Sequence, residues 1–340
     1  MNPVSPPGPP TRSDWAGAVT ALRTHREVVL ACHVSPDGDA LGSMLALTHA
    51  LARLGPRVVP SFGEPFVVPE PLRVLPGLEL LVHPTRVPEA PELLVTLDTS
   101  GAERLGDLAA PARRAGQVLV IDHHQSNTGY GTLHLVDPRA PATAVLVAEL
   151  VDRLGVGIDP DIAACLYTGL VSDTGSFRYL GTTSSVHALA GRLLDTGIRH
   201  DVISRELFDS HPFGWVSMLG TVLGRARLEP DAVGGLGLVW THVRCADLAD
   251  RGLGADQAES VVDVVRTARE AEVACVLKEL PDRQWSVSVR SKGRIDVGSV
   301  CVRLGGGGHR FAAGFTSPRS LADTVDALRA ALDEAPHLPG

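Results

Sequence analysis

The chain has 340 residues, with 31 Lys and Arg against 39 Asp and Glu and a formal net charge of −8. That length suits two domains, and the acidic balance argues against an electrostatic grip on long nucleic acid while leaving room for short nucleotides and divalent cations. No apolar run approaches membrane-spanning length, no charged-then-apolar signal pattern opens the chain, and five singly placed cysteines without a CxxC pair fit a reducing cytosol better than a disulfide framework or a zinc knuckle. A cytoplasmic protein with no membrane partner is expected.

Residues 1–13 begin with a stretch holding five prolines and little that can pack, and read as a disordered tail. Ser13 is placed to cap a helix running to Thr24. A short buried strand follows at Glu27–Cys32. Ala40–Gly55 has helical spacing, with Leu41, Met44, Leu45, Leu47 and Leu51 on one face and Gly55 as its stop. Arg57–Phe62, Leu93–Leu97 and Val118–Ile121 read as further strands, and Pro141–Leu154, Pro160–Val171 and Ser184–Gly197 as helices. Continuously apolar strands alternating with helices predict an α/β fold with a parallel sheet covered on both faces, whose ligands bind beyond the carboxyl ends of the strands. The polar stretch 198–214 reads as the linker between a domain at 14–197 and a smaller α/β domain at 215–336. In the latter, Phe213–Leu223 and Ala255–Glu270 read as helices, Leu236–His242 as a strand, Ala274–Leu280 and Trp285–Arg290 as a hairpin, and Asp296–Leu304 and Ser320–Glu334 as helices around a run of four glycines, Gly305–Gly308.

The strand ends carry the chemistry. His33, Asp37 and Asp39 follow the first buried strand, with Gly38 freeing the loop to bend. Asp98 ends another strand, Asp122-His123-His124 ends a third, and Asp173 closes a helix. Any one of these is an ordinary loop or cap residue, Asp39 for instance as the cap of the helix from Ala40. Together they form a set of imidazoles and carboxylates that suits Mn²⁺, Mg²⁺ or Co²⁺. Two such ions about 3.5–4 Å apart can share a water, lower its pKa and clamp the oxygens of a phosphoryl group. A metal-dependent phosphoesterase is therefore expected. The other histidines fit no such pattern and read as surface or satisfied interior residues.

The stretches HVSPDGDALGS, LDTS, IDHH and SDTGSF, in this order, resemble the motifs of the DHH phosphoesterase superfamily, and GGGGHRFAAGF resembles the glycine-rich motif of its DHH-associated C-terminal domain. The likeness runs from about Asp14 to Ala335, and is strongest to the NrnA-type branch of oligoribonucleases and pAp phosphatases. The resemblance implies that His33 and Asp37 hold one metal, that Asp39, His123 and Asp173 hold a second, and that Asp98 bridges them. It implies that His124 faces the substrate phosphate and that Asp122 orients the histidines. It further implies that Arg290, Ser291, Gly307, Gly308 and His309 hold a nucleotide or terminal phosphate, and that the protein forms a homodimer. The implied substrates are short oligoribonucleotides, pApA, 3'-phosphoadenosine 5'-phosphate (pAp) and cyclic di-AMP.

The residues of the second half agree with an anion site. Glycine lets backbone N–H groups approach an anion, so the run before His309 is expected to serve binding rather than packing. From Lys278 to Arg310 seven Lys and Arg face three acids, a net of +4 in an acidic chain. A domain that grips one nucleotide beside a metal site that cuts the next phosphate would favour short substrates, and the scarcity of aromatic residues, 4%, argues against base stacking along a long strand. A manganese-type pyrophosphatase and a non-catalytic nucleotide sensor are the competing readings. The first lacks the expected basic motif in the second half, and the second predicts lost ligands where none is lost.

Overall fold

The structure, a computed structural model, describes residues 12–338; residues 1–11, most of the expected tail, lie outside the described residues. The chain divides into two compact units between Ser210 and His211. In the first, the elements are β1 (Arg12–Ser13), α1 (Trp15–Thr24), β2 (Glu27–Cys32), α2 (Gly38–Ala52), β3 (Arg57–Phe62), β4 (Leu93–Leu97), α3 (Ala109–Arg114), β5 (Gln117–Asp122), β6 (Leu133–Val136), α4 (Thr143–Arg153), α5 (Pro160–Asp173), α6 (Ser184–Leu194) and α7 (His200–Phe208).

The sheet runs β1-β6-β5-β4-β2-β3. β2 to β6 are parallel, and β1 adds a short antiparallel edge on β6. The chain goes outward from β2 to β3, then returns to the other side of β2 as β4. This reversal opens a crevice at the carboxyl ends of β2 and β4, the usual ligand position in an open parallel sheet. The strands are apolar on both sides because both faces are covered. Val28, Leu30, Cys32, Val95 and Leu97 join a core with α1, α2, α4 and α5. Val29, Ala31, Leu94, Val118 and Val120 pack against Leu105, Leu108, Ala109 and Ala112 on the opposite face.

α2 and α5 lie unusually close, and glycine makes that possible. A Cβ on Gly42 would sit 2.5 Å from the Cys165 carbonyl oxygen, and one on Gly169 would sit 2.6 Å from Asp39 Oδ1. The gap between these two helices is therefore set by backbone contact, and Asp39 fills the room left at Gly169.

Several boundaries differ from the sequence expectation for identifiable reasons. Arg12–Ser13 pair with Leu135–Val136 rather than trailing as tail, and Asp14, not Ser13, caps α1 by accepting from the Gly17 amide. α2 starts at Gly38 because Asp37 accepts from the amides of Asp39 and Ala40, so Asp39 is inside the first turn and is not the cap. The stretch 198–214 contains the helix α7 rather than only polar linker.

The second unit contains α8 (Phe213–Leu223), β7 (Arg227–Glu229), α9 (Ala232–Gly235), β8 (Leu238–Val243), α10 (Cys245–Ala249), α11 (Val261–Val265), β9 (Val273–Glu279), β10 (Trp285–Ser291), α12 (Val297–Arg303), β11 (Gly307–His309), β12 (Ala312–Ser317) and α13 (Leu321–Asp333). Its mixed sheet runs β11-β12-β10-β9-β8-β7, with β8 and β9 parallel. The single helix expected at Ala255–Glu270 is instead a short 3-10 turn followed by α11. The part that stays helical is the one whose Val261, Val262 and Val265 are buried against β8 and β9. The glycine run is also corrected. β11 is a strand paired with β12, with Gly307 opposite Gly314 and Gly308 opposite Ala313. A Cβ on Gly306 would overlap the Gly314 carbonyl, and one on Gly308 would sit 2.7 Å from the Ala312 carbonyl oxygen. Two of the four glycines thus serve close backbone packing, whereas a Cβ on Gly305 or Gly307 would meet nothing within 4 Å.

Gly42→Ala is expected to lower stability by about 1–3 kcal/mol, because the new methyl group must push α2 and α5 apart. Chemical denaturation of the purified variant checks this; an unchanged midpoint would show that the helix pair can yield.

Candidate metal centre

Three adjacent strands deliver the polar residues to one place. His33 follows β2, Asp98 follows β4, and Asp122 ends β5 ahead of His123 and His124. α2 contributes Asp39, its cap is Asp37, and α5 ends on Asp173. Among the described residues, the candidate ligand atoms of His33, Asp37 and Asp98 lie within 4.8 Å of one another, as do those of Asp39, His123 and Asp173, and those of Asp98, Asp122 and His124. All of these residues belong to the first unit.

Asp98 is the shared member. His33 Nε2 lies 3.7 Å from Asp98 Oδ2 and 3.8 Å from Asp37 Oδ2. His123 Nε2 lies 3.4 Å from the other oxygen, Asp98 Oδ1, 3.1 Å from Asp173 Oδ2 and 3.8 Å from Asp39 Oδ2. Backbone carbonyls fix both rings: Nδ1 of His33 donates to Val34 at 2.9 Å and Nδ1 of His123 to Ala140 at 3.0 Å. Each Nε2 is then directed at carboxylates, the arrangement in which a neutral histidine presents a lone pair to a cation. His124 Nδ1 sits 2.7 Å from Asp122 Oδ1, and Asn127 donates to Asp122 Oδ2 at 2.6 Å.

Burial makes this set costly without a counter-charge. Asp39 and Asp122 are 0% exposed and Asp98 is 1% exposed. Burial, with the charges of Asp98 and Asp173, holds the Asp39 carboxyl well above its ordinary value. Burial likewise dominates at Asp173, which is pushed up to about 6. At Asp98 burial is outweighed by His123 and His33, and its carboxyl falls well below the usual range. Burial would lower His33, but Asp98 and Asp37 outweigh it and raise the imidazole to about 9; Asp173 and Asp98 do the same for His123, and Asp122 for His124. The direction of these shifts marks a donor set that invites positive charge. Oxygen and imidazole ligands without thiolate fit hard or borderline divalent cations, so the residues present fit a pair of such ions.

Backbone strain concentrates beside the same residues. Asp98 (φ 55°) and Ser35 (φ 52°) are left-handed, as are Ser176 (φ 57°) and Phe177 (φ 65°) just beyond Asp173. Such conformations are uncommon for residues other than glycine and cluster at functional sites.

Sequence reasoning missed the donors that hold the carboxylates. The amides of Thr143 and Ala144, at the start of α4, donate to Asp39 Oδ2 at 2.5 Å and Oδ1 at 2.9 Å. Ser43 adds a hydroxyl to Asp39 Oδ1 at 3.2 Å, and Thr143 Oγ1 donates to Asp98 Oδ1 at 2.8 Å. The only available signal was position, since Thr143 lies in the first turn of the expected helix Pro141–Leu154 and its partners Asp39 and Asp98 are 104 and 45 residues away.

In the second unit, Arg290 is the penultimate residue of β10, its guanidinium donating to the Val289 carbonyl, and Gly307, Gly308 and His309 form β11. Ser291, expected to face the substrate, is 5% exposed. Its hydroxyl donates to Glu272 and accepts from the amides of Gly293 and Ile295, which suits shaping the loop at 292–295. Three of the seven cations of the basic stretch pair with acids: Lys278 with Glu259, Arg303 with Glu334 and Arg310 with Asp296.

The DHH family, N-terminal domain, matches residues 27–170, and the DHHA1 domain matches residues 241–336. A bifunctional oligoribonuclease and PAP phosphatase NrnA from Thermus thermophilus is 35% identical over 85% of this chain and 83% of its own length. The chain belongs to the DHH phosphoesterase family. A cyclic-di-AMP phosphodiesterase PdeA from Listeria monocytogenes is 25% identical over 90% of this chain and 47% of its own. The crystal structure of an exopolyphosphatase-related protein from Bacteroides fragilis superposes with a TM-score of 0.84 at 24% identity, covering 94% of this chain and 95% of that one, and so shares the fold. The expected α/β architecture with a parallel-sheet DHH unit and a smaller second α/β unit therefore holds, and among the described residues no helix is long and apolar enough to cross a membrane.

The raised imidazoles set a pH dependence. His33 is held near 9 in the folded metal-free protein and near 6.5 when unfolded, so its contribution to stability is complete below about pH 6.5 and is lost as pH rises through about 9. Thermal melts in EDTA should show Tm falling from pH 6.5 to 9, and saturating Mn²⁺ should raise Tm and flatten the slope by replacing the proton. A Tm in EDTA that rises over this range would contradict the geometry assigned to His33.

Proposed function

We propose that this protein hydrolyses short oligoribonucleotides and dinucleotides such as pApA to mononucleotides, and pAp to AMP, at a centre holding two divalent cations, Mn²⁺ before Mg²⁺ or Co²⁺. Cyclic di-AMP is a further candidate of the same chemistry. The observation that carries the reading is Asp98, whose two oxygens face His33 on one side and His123 on the other from a buried position between two ligand groups. His33 and Asp37 would hold one ion, Asp39, His123 and Asp173 the other, and Asp98 both. Bound cations supply a nucleophile at neutral pH and offset charge on the phosphoryl oxygens.

The chain's own residues do the rest. Asp122, itself held by Asn127, fixes the His124 ring through Nδ1, and we assign the other ring nitrogen as a donor to a phosphoryl oxygen. Water adds to phosphorus and the P–O bond to the leaving nucleotide or hydroxyl breaks. For the second unit we propose an anion-binding role for Arg290, Gly307, Gly308 and His309, in which the guanidinium can fork onto a phosphate. The named activities of the Thermus and Listeria relatives support phosphodiester and phosphomonoester substrates carrying adenine nucleotides. Five free cysteines, four of them buried, fit a reducing cytoplasm, and a homodimer is part of the same reading.

Asp98→Ala should lower kcat/KM for pApA by at least about a thousandfold, since it removes the group common to both ions. Chromatography of pApA, a short RNA, pAp, cyclic di-AMP and pyrophosphate incubated with Mn²⁺ checks the substrate class. Release of AMP from pApA with pyrophosphate untouched is expected; cleavage of pyrophosphate alone would overturn the nucleotide reading. Arg290→Ala should raise KM by about tenfold, a loss confined to binding unless the grip tightens in the transition state; an unchanged kcat/KM would remove Arg290 from the site.

A further inference from the structure

We propose, on the two-cation reading above, that Thr143 is a positioning residue: the first turn of α4 orients the carboxylates of Asp39 and Asp98 for cation binding. Thr143 lies within the DHH-matched residues but in none of the stretches HVSPDGDALGS, LDTS, IDHH and SDTGSF, and it is 0% exposed. Its hydroxyl donates to Asp98 Oδ1 at 2.8 Å, while its amide and that of Ala144 donate to the two oxygens of Asp39. α4 has no side-chain cap of its own, because its N-cap residue is Ala142. Asp39, from α2, takes that part, so the amides left without partners at a helix start serve a carboxylate a hundred residues distant.

The consequence is directional. Asp39 Oδ1 accepts from the Ala144 amide and the Ser43 hydroxyl, while Oδ2, anchored by the Thr143 amide, keeps a lone pair on the side of His123. Asp98 stands on a left-handed backbone, and its carboxylate can turn about its last bond. The Thr143 hydroxyl selects the turn in which Oδ1 faces His123 and His124 while Oδ2 faces His33. A shared ligand needs that orientation, because one oxygen must be offered to each ligand group. A helix start also favours negative charge beside it, so the two α4 amides favour the carboxylate form of Asp39 against the burial that opposes it.

The test is a calorimetric Mn²⁺ titration of the full chain, with melts in EDTA, on wild type, Thr143→Val, Thr143→Ser and Asp98→Ala. Thr143→Val keeps the branched shape and removes only the hydroxyl. It should weaken Mn²⁺ binding roughly tenfold to a hundredfold, as loss of a group that orients a metal ligand commonly does. Thr143→Ser should restore wild-type affinity. Wild-type affinity in Thr143→Val, with only the melting temperature lowered, would overturn the inference and leave Thr143 as a helix-packing residue. Failure of the wild type itself to bind Mn²⁺ would instead overturn the two-cation reading. Should Thr143→Val not melt cooperatively, Thr143→Ala is read in the same way.

Discussion

Three carboxylates, Asp39, Asp98 and Asp122, are sealed from water at the carboxyl edge of a parallel sheet, and the first unit is arranged around that cost. Unpaired, such groups would protonate or unfold the crevice that holds them. The structure offsets their charge with nearby imidazoles and with N–H and O–H donors: His33, His123 and His124 from the strand ends, Ser43 from α2, Asn127 from the loop after β5, and the start of α4. What remains unsatisfied is positive charge at the centre, and the donor chemistry says which kind of cation would supply it.

The architecture explains why that centre can be so rigid. β2 and β4 are neighbours only because the chain reverses between them, and each ends in a loop bent through a left-handed residue, Ser35 after β2 and Asp98 after β4. α2 can carry Asp39 into the interior because Gly169 leaves room on α5 and because Gly42 lets the two helices touch through their backbones. Asp173, the last residue of α5, reaches the same point from the other side of that helix pair. Substrate chemistry that depends on placing charge within a few tenths of an ångström is thus tied to glycine positions that never meet the substrate.

The second unit is built on a different economy. Its glycine-rich strand mixes two demands, since Gly306 and Gly308 are required by neighbouring backbone while Gly305 and Gly307 are not. Three of the seven cations between Lys278 and Arg310 pair with acids of the fold. The anion-binding role proposed for Arg290 and β11 draws on specific donors, the guanidinium and the strand's own groups.

The sequence by itself determined the class of the fold and the identity of the polar set. Apolar runs of strand length, each ending in Asp or His, announce a parallel sheet with its chemistry at one edge, because backbone direction puts every such end on the same side. Helices with strong periodicity were legible to within a few residues. Short strands such as β1, β6 and β11 were not, since they are stabilised by pairing with other strands rather than by their own pattern. Nor was the shortening of the expected helix at Ala255–Glu270, of which only the valine-rich turn buried against β8 and β9 is α-helical. Only the tertiary structure decided that Asp37 rather than Asp39 caps α2, that Ser291 is turned inward, and that Thr143 reaches Asp98. The first is a choice between neighbouring carboxylates that local pattern leaves open, whereas the Thr143 to Asp98 bond joins residues 45 apart and exists only once the sheet has brought the strand ends together.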